Sequence, residues 1–163
     1  MNDLFIRPAT ASDAEAICAL AREVVADGTT YVFSPAITDE ELRAYWLAPY
    51  GHTFVACIDD EIAGFYIIKP NHPGRGSHVA NGSYVVSPRF SGRGIGYTLG
   101  EHSIAAAQQL GFKAMQYNIV VATNTNAVRL WKKLGFEIVG TLPQVFDHPH
   151  LGLVDAYVMH RFI

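Results

Sequence analysis

The chain is 163 residues long, half of them hydrophobic, 12% aromatic and 17% charged. At about 150 residues per domain, one domain spanning residues 1–163 is expected, and so apolar a composition excludes a disordered chain. Twelve basic against fifteen acidic residues give a formal charge of −3, scattered without a basic stripe, which argues against nucleic acid as a partner.

The opening segment MNDLFIRPATASDAE carries acids early and has no apolar run behind basic residues, so no signal peptide is expected. No apolar stretch reaches about 18 residues, so no membrane contact is expected either. A cytoplasmic location follows, in which Cys18 and Cys57 stay reduced as small core residues.

Leu4 to Arg7 reads as a short strand, and Ser12 with Glu15 has the spacing of a capping box for a helix carrying Ile17, Leu20 and Val24. Asp27-Gly28-Thr29-Thr30 breaks that helix, and Thr38 with Glu41 opens a second one bearing Leu42, Tyr45 and Trp46. Thr53 to Ile58 and Ile62 to Lys69 read as a hairpin around Asp59-Asp60-Glu61. Val79 to Val86 is a further strand in which Asn81-Gly82 favours a bulge or sharp bend. Behind the glycines at 92, 94 and 96, Leu99, Ala106 and Leu110 suit a helix ending near Gly111. Met115 to Ala122 is a strand, and Thr123 to Asn126 offers caps for a helix carrying Val128, Trp131 and Leu134 and stopped by Gly135. Phe136 to Leu142 and Val154 to Phe162 close the chain as strands around an irregular Pro143 to Gly152 loop. The order predicts a mixed α/β sheet covered by helices, with no internal repeat.

The strongest chemical signal is the strand that leads through Pro88 into Ser91-Gly92-Arg93-Gly94-Ile95-Gly96 and then a helix. Glycines let the backbone approach a ligand, and a helix start offers free N–H groups and a positive dipole end to a phosphate; Arg93 adds a cation. A Walker loop is excluded because no lysine follows the last glycine, and a dinucleotide fingerprint because Tyr97 and Leu99 stand where its final glycine belongs. A pyrophosphate cradle of another kind remains.

With Val86-Ser87-Pro88 and the run Asn124 to Phe136, these glycines resemble the GCN5-related N-acetyltransferase (GNAT) family over nearly the whole chain. The resemblance implies an α/β acyl-CoA N-acyltransferase fold, a mixed central sheet splayed around the CoA arm with helices on both faces. It implies acetyl-CoA as acyl donor, with no metal, held by Val85, Val86, Ser91, Gly92, Arg93, Gly94, Ile95, Gly96, Tyr97, Asn124, Ala127 and Trp131. Members usually carry arginine or glutamine where Ser91 stands, and often a tyrosine acid where Trp131 stands. The amine attacks the thioester directly, with backbone donors from the strand before the glycine loop; Val86, Asn118 and Asn124 are the implied catalytic residues.

Phe65 to Asn71, Pro73 to His78, Asn81-Gly82 and Asn118 to Asn124 resemble the branch with the yeast proline-analogue acetyltransferases. That likeness implies a small amino or imino acid such as azetidine-2-carboxylate as acceptor, its carboxylate bound by Asn81 and Asn118, and detoxification as the role. A strand persisting from Asn118 to Asn124 would set both on one face. Alternatives are another primary amine (antibiotic, polyamine or protein amino terminus) and a CoA-binding sensor without turnover. No base emerges from the seven histidines; His148-Pro149-His150 reads as loop, and Asp147 and Asp155 as candidates to orient an ammonium ion. A homodimer would cover some of the many aromatics.

Overall fold

The computed structural model describes residues 3–163. In chain order the elements are β1 (Phe5–Pro8), α1 (Ala14–Asp27), α2 (Asp39–Trp46), β2 (His52–Ile58), β3 (Glu61–Pro70), β4 (Val79–Val86), α3 (Ile95–Gln109), β5 (Ala114–Val121), α4 (Thr125–Lys133), β6 (Glu137–His148) and β7 (Gly152–Phe162). This is the order expected from the sequence. The strands form one sheet ordered β1-β2-β3-β4-β5-β7-β6, and β4 and β5 are its one parallel pair among the described residues.

Side chains alternate across the sheet, and each face buries its own core. Val55, Cys57, Phe65, Ile67 and Val85 pack against Ile17 and Ala21 of α1 and Leu42 and Trp46 of α2. Ala56, Ile58, Tyr66 and Ile68 pack on the other face with Ile95 and Leu99 of α3, Trp131 of α4 and Leu134 just after it. β3 feeds both cores, which is why Ala63 to Ile68 reads as an unbroken run of apolar residues and glycine.

Local signals act largely as expected. Thr38 Oγ1 accepts from the Glu41 N–H at 3.2 Å while Glu41 Oε2 accepts from the Thr38 N–H at 2.8 Å, so α2 starts with a reciprocal box. Asp59 and Asp60, with φ of 48° and 62°, form the two-residue turn between β2 and β3.

Four expectations are corrected. The box at the start of α1 lies two residues earlier, where the buried Asp13 carboxylate accepts from the Thr10 N–H at 2.7 Å and is gripped by both Arg7 guanidinium nitrogens at 2.7 and 2.9 Å. Arg7 reaches from β1 and fixes Asp13, not Glu15, as the acidic member. β4 has no bulge, since its register to β3 is unshifted from Ala80 to Val86. Gly82 instead makes room, because a Cβ there would lie 2.6 Å from Tyr84 Oη. The stretch Pro143 to Gly152 is mostly strand: β6 and β7 pair to His148↔Gly152, with register shifts at Ile138–Gly140 and at Leu142–Phe146, where Gln144 takes a φ of 50°. Asn118 and Asn124 do not share a strand face, because β5 ends at Val121 and Asn124 caps α4.

Candidate active site

The site is built where β4 and β5 part company. They pair at Val79↔Ala114 and Ala80↔Met115 and then separate, leaving a wedge. The hydrogen bonds Asn71 N–H to Val79 O and Ser87 N–H to Ala63 O set the phase of the β3–β4 ladder. Asn81, Ser83 and Val85 therefore turn their main-chain groups toward β3, and Gly82, Tyr84 and Val86 turn theirs into the wedge.

Tyr31, from the loop between α1 and α2, fills the middle of that free edge. Its hydroxyl donates to Tyr84 O and accepts from the Tyr84 N–H, each at 2.8 Å. Burial raises its phenol well above the ordinary range, so Tyr31 holds the strand as a neutral group. Gly82 and Val86 keep their wedge-facing main-chain groups for other partners.

The wedge opens into a cleft of about 560 Å³ lined by Asn81, Val85, Val86, Asn118, Asn124, Ala127 and Trp131, all expected at the site, and also by Tyr31, Tyr45, Glu23 and Asp27. Glu23 and Asp27, one turn apart on α1, are the charged side chains among its lining. The i to i+4 spacing of Glu23 and Asp27 beside Leu20 and Val24 was the sequence signal that could have found them. Tyr31 carried no such local signal.

Asn118 reaches the cleft through a bulge in β5, whose register to β7 shifts between Tyr117 and Val120. Its Oδ1 accepts from Gln116 Nε2 at 3.0 Å and its Nδ2 donates to Asn71 Oδ1 at 2.8 Å. Asn81 Nδ2 donates to the main-chain oxygen of Gln116 at 3.1 Å. Asn124 Oδ1 accepts from the Ala127 N–H at 3.3 Å, closing the first turn of α4.

Trp131 forms the floor. It is buried, 4.7 Å from the Tyr84 ring and 4.6 Å from the Tyr117 ring. The Tyr84 hydroxyl bonds those of Ser103 and Tyr117, each at 2.8 Å, and burial pushes the Tyr84 phenol up to about 12 and the Tyr117 phenol higher than its usual range. Neither phenol is an acid suited to a thiolate, whose thiol ionises near about 8.5.

Ser91 to Tyr97 lie outside this cleft, beyond the Val86 and Pro88 end. Gly92 and Gly94 each adopt a φ of 76°, a conformation that favours glycine, and a Cβ on either would meet open space. Gly94 caps α3 without a side-chain bond, so no capping side chain occupies the first-turn N–H groups. Gly96 packs instead, its virtual Cβ lying 3.5 Å from Leu130 and 3.8 Å from Val86. Arg93 lies 5.4 Å from the Phe90 ring, and Lys133 lies 4.6 Å from the Tyr97 ring.

Elsewhere, His148 Nδ1 accepts from the His150 N–H at 3.1 Å, and Asp155 accepts from the Gln144 N–H at 2.9 Å. Neither aspartate put forward to orient an ammonium ion, Asp147 or Asp155, lines the cleft. Among the described residues no group of three or more His, Cys, Asp or Glu is placed to hold a metal ion, and no helix is long and apolar enough to cross a membrane.

A sequence profile of the acetyltransferase (GNAT) family matches residues 20–136. N-acetyltransferase aca1 of Schizosaccharomyces pombe is 41% identical over 98 residues, which are 60% of this chain and 47% of that protein, so the match spans about half of that relative. A GCN5-related N-acetyltransferase from Kribbella flavida superposes with a TM-score of 0.95 at 43% identity, covering 98% of each chain. The protein yncA of Salmonella typhimurium, solved with its cofactor acetyl-CoA, shares the fold at a TM-score of 0.87 and 21% identity, over 98% of this chain and 94% of that one.

Proposed function

The chain belongs to the acetyltransferase (GNAT) family, and from that premise we propose that it transfers the acetyl group of acetyl-CoA to the nitrogen of a small amino or imino acid of the proline-analogue kind. The observation that carries the reading is one cleft in which a free strand edge at Val86 lies alongside the carboxamides of Asn81, Asn118 and Asn124.

The residues present fit the donor. The wedge leaves main-chain groups of Gly82 and Val86 without a strand partner, as an extended pantetheine arm requires, and Gly92 and Gly94 leave open space over the start of α3, as a pyrophosphate requires. Acetyl-CoA supplies an activated thioester: the acceptor's nitrogen, its proton lost to solvent water, forms the new N–C bond, and the C–S bond breaks with its electron pair leaving on the CoA thiolate. The glycine loop and Arg93 hold the phosphates, and Ser91 to Tyr97, Ala127 and Trp131 border the arm. The Val86 N–H faces the wedge, where it donates to the developing oxyanion, and Asn124 lines the same cleft. One good donor of this kind contributes about 3 kcal/mol. No side-chain acid is needed, because a CoA thiolate is a stable leaving group near neutral pH.

Asn81 and Asn118 bind the acceptor's carboxylate with amide donors, and Glu23 and Asp27 at the cleft draw in its ammonium form. The role that goes with such an acceptor is removal of a toxic amino-acid analogue in the cytoplasm. A homodimer belongs to the same reading, supported by Leu151 and Leu153 on the β6–β7 hairpin, which are 62% and 59% exposed. A second reading, a polyamine or other primary amine, is favoured by the purely acidic charge of the cleft lining.

Thiol release with azetidine-2-carboxylate, measured against a pool of primary amines lacking a carboxylate, separates the two. The double replacement Asn81→Ala with Asn118→Ala is expected to raise KM for azetidine-2-carboxylate at least about tenfold, each lost hydrogen bond to a charged group being about 1.5–3 kcal/mol. Unchanged kinetics in that variant would sink the amino-acid reading.

A further inference from the structure

Resting on the amino-acid reading above, we propose that Gln116 and Asn71 are positioning residues that hold the Asn118 carboxamide in the one orientation that offers a donor to the acceptor's carboxylate. A carboxamide in a wet cleft can turn over, exchanging its oxygen for its nitrogen, and would then present an acceptor that repels a carboxylate. Asn118 is pinned at both ends. Gln116 Nε2 donates to its Oδ1, and its Nδ2 donates to Asn71 Oδ1, so one Nδ2 hydrogen stays free for a ligand. Turning Asn118 alone would set amide nitrogen against nitrogen at Gln116 and oxygen against oxygen at Asn71. The three carboxamides thus share one sense of donation, and reversal requires all three to turn together.

Neither Gln116 nor Asn71 lines the cleft, so each acts through Asn118. Gln116 serves both carboxylate readers at once. Its main-chain oxygen accepts from Asn81 Nδ2 while its side chain holds Asn118, which fixes the two readers relative to one another across the start of the wedge. Gln116 stands on β5 opposite His160 of β7, two residues before the bulge that brings Asn118 to the cleft. Asn71 is tied at its own N–H to Val79 O, so both anchors sit on paired backbone. What this device supplies is specificity for the carboxylate, separate from the chemistry at Val86.

The test compares kcat/KM for azetidine-2-carboxylate with that for azetidine, which lacks the carboxylate, in the full chain with saturating acetyl-CoA. Gln116→Leu removes the side-chain donor and keeps the main-chain oxygen that Asn81 uses; Asn71→Ala removes the acceptor. Each is expected to lower the preference for the carboxylate about tenfold, through KM. Acting through Asn118, Gln116→Leu is expected to have no further effect in an Asn118→Ala background. If Asn118→Ala abolishes the preference while Gln116→Leu and Asn71→Ala leave it intact, or if the two losses simply add, the positioning role is overturned and the amino-acid reading stands. If the wild type shows no preference for the carboxylate, or Asn118→Ala does not change it, the amino-acid reading itself fails and the positioning role with it.

Discussion

The two edges of β4 have opposite fates. Toward β3 the strand is paired in one register from Ala80 to Val86, whereas toward β5 it is paired at Val79 and Ala80 alone. The closed edge satisfies its main chain with main chain, and the open edge uses a phenol from a distant loop at Tyr84 and leaves Gly82 and Val86 without a strand partner. The contrast shows how one strand can be a rigid support and a binding surface together: ladder bonds on one side hold the extended geometry that the other side displays.

Substitutions on the two edges test that division, and the largest effect is expected on the closed one. A Cβ at Gly64 would lie 2.8 Å from Val85 O and 3.1 Å from a Leu99 methyl, a clash with backbone that a side-chain rotation cannot relieve. Gly64→Ala is expected to destabilise the protein by about 3 kcal/mol, the upper end of overpacking costs, as read by urea unfolding. A loss under about 1 kcal/mol would mean that the β3–β4 ladder yields and is not the rigid side.

On the open edge, Tyr31→Phe keeps the ring among Phe33 and Trp46 but leaves both Tyr84 main-chain groups without the phenol. The expected cost is about 2 kcal/mol of stability in the same unfolding measurement. A cost below about 0.5 kcal/mol would show that water replaces the hydroxyl and that the open edge is wet at Tyr84 as well as at its neighbours.

How far each edge was legible follows from the distance over which its signals act. Periodicity, the Thr38–Glu41 box and the glycines at 28, 111 and 135 mark element ends locally, and every element was found from them. The Asn81-Gly82 pair looked like a bend because glycine in a strand often is one; here its missing Cβ accommodates the Tyr84 hydroxyl. The bulge at Asn118 lies inside Tyr117-Asn118-Ile119-Val120, a segment with no glycine or proline to mark it, and the pairing with β7 reveals it. Pro143 suggested a loop, yet β6 is an edge strand and tolerates a missing donor. Tyr31 meets Tyr84 across 53 positions of sequence, beyond any local pattern. Of the site residues taken from the family resemblance, Asn81, Val85, Val86, Asn118, Asn124, Ala127 and Trp131 line the cleft and Ser91 to Tyr97 do not, and the lining missed includes residues of α1, the loop after it and Tyr45 of α2.

The smallest effect is expected at the floor of the wedge, where Trp131 stands at the position for which the family resemblance implies a tyrosine. Trp131 is buried against Tyr84, Tyr117 and Phe136, so its ring is held by packing beneath the cleft it lines. An indole N–H is far too weak an acid to protonate a thiolate, and the two phenols beside it are pushed upward by burial, away from the range in which they could do so. If the thiolate departs unaided, Trp131→Phe removes volume and no chemistry. Turnover at saturating acetyl-CoA is then expected to stay within about threefold of the wild type, less than one hydrogen bond's worth of barrier. Its pH profile is expected to keep the wild-type shape, since no titrating group is lost. A several-hundredfold loss in a variant that unfolds at the wild-type urea midpoint would place proton transfer at the floor after all, and would show that the donor proposed at Val86 does not act alone.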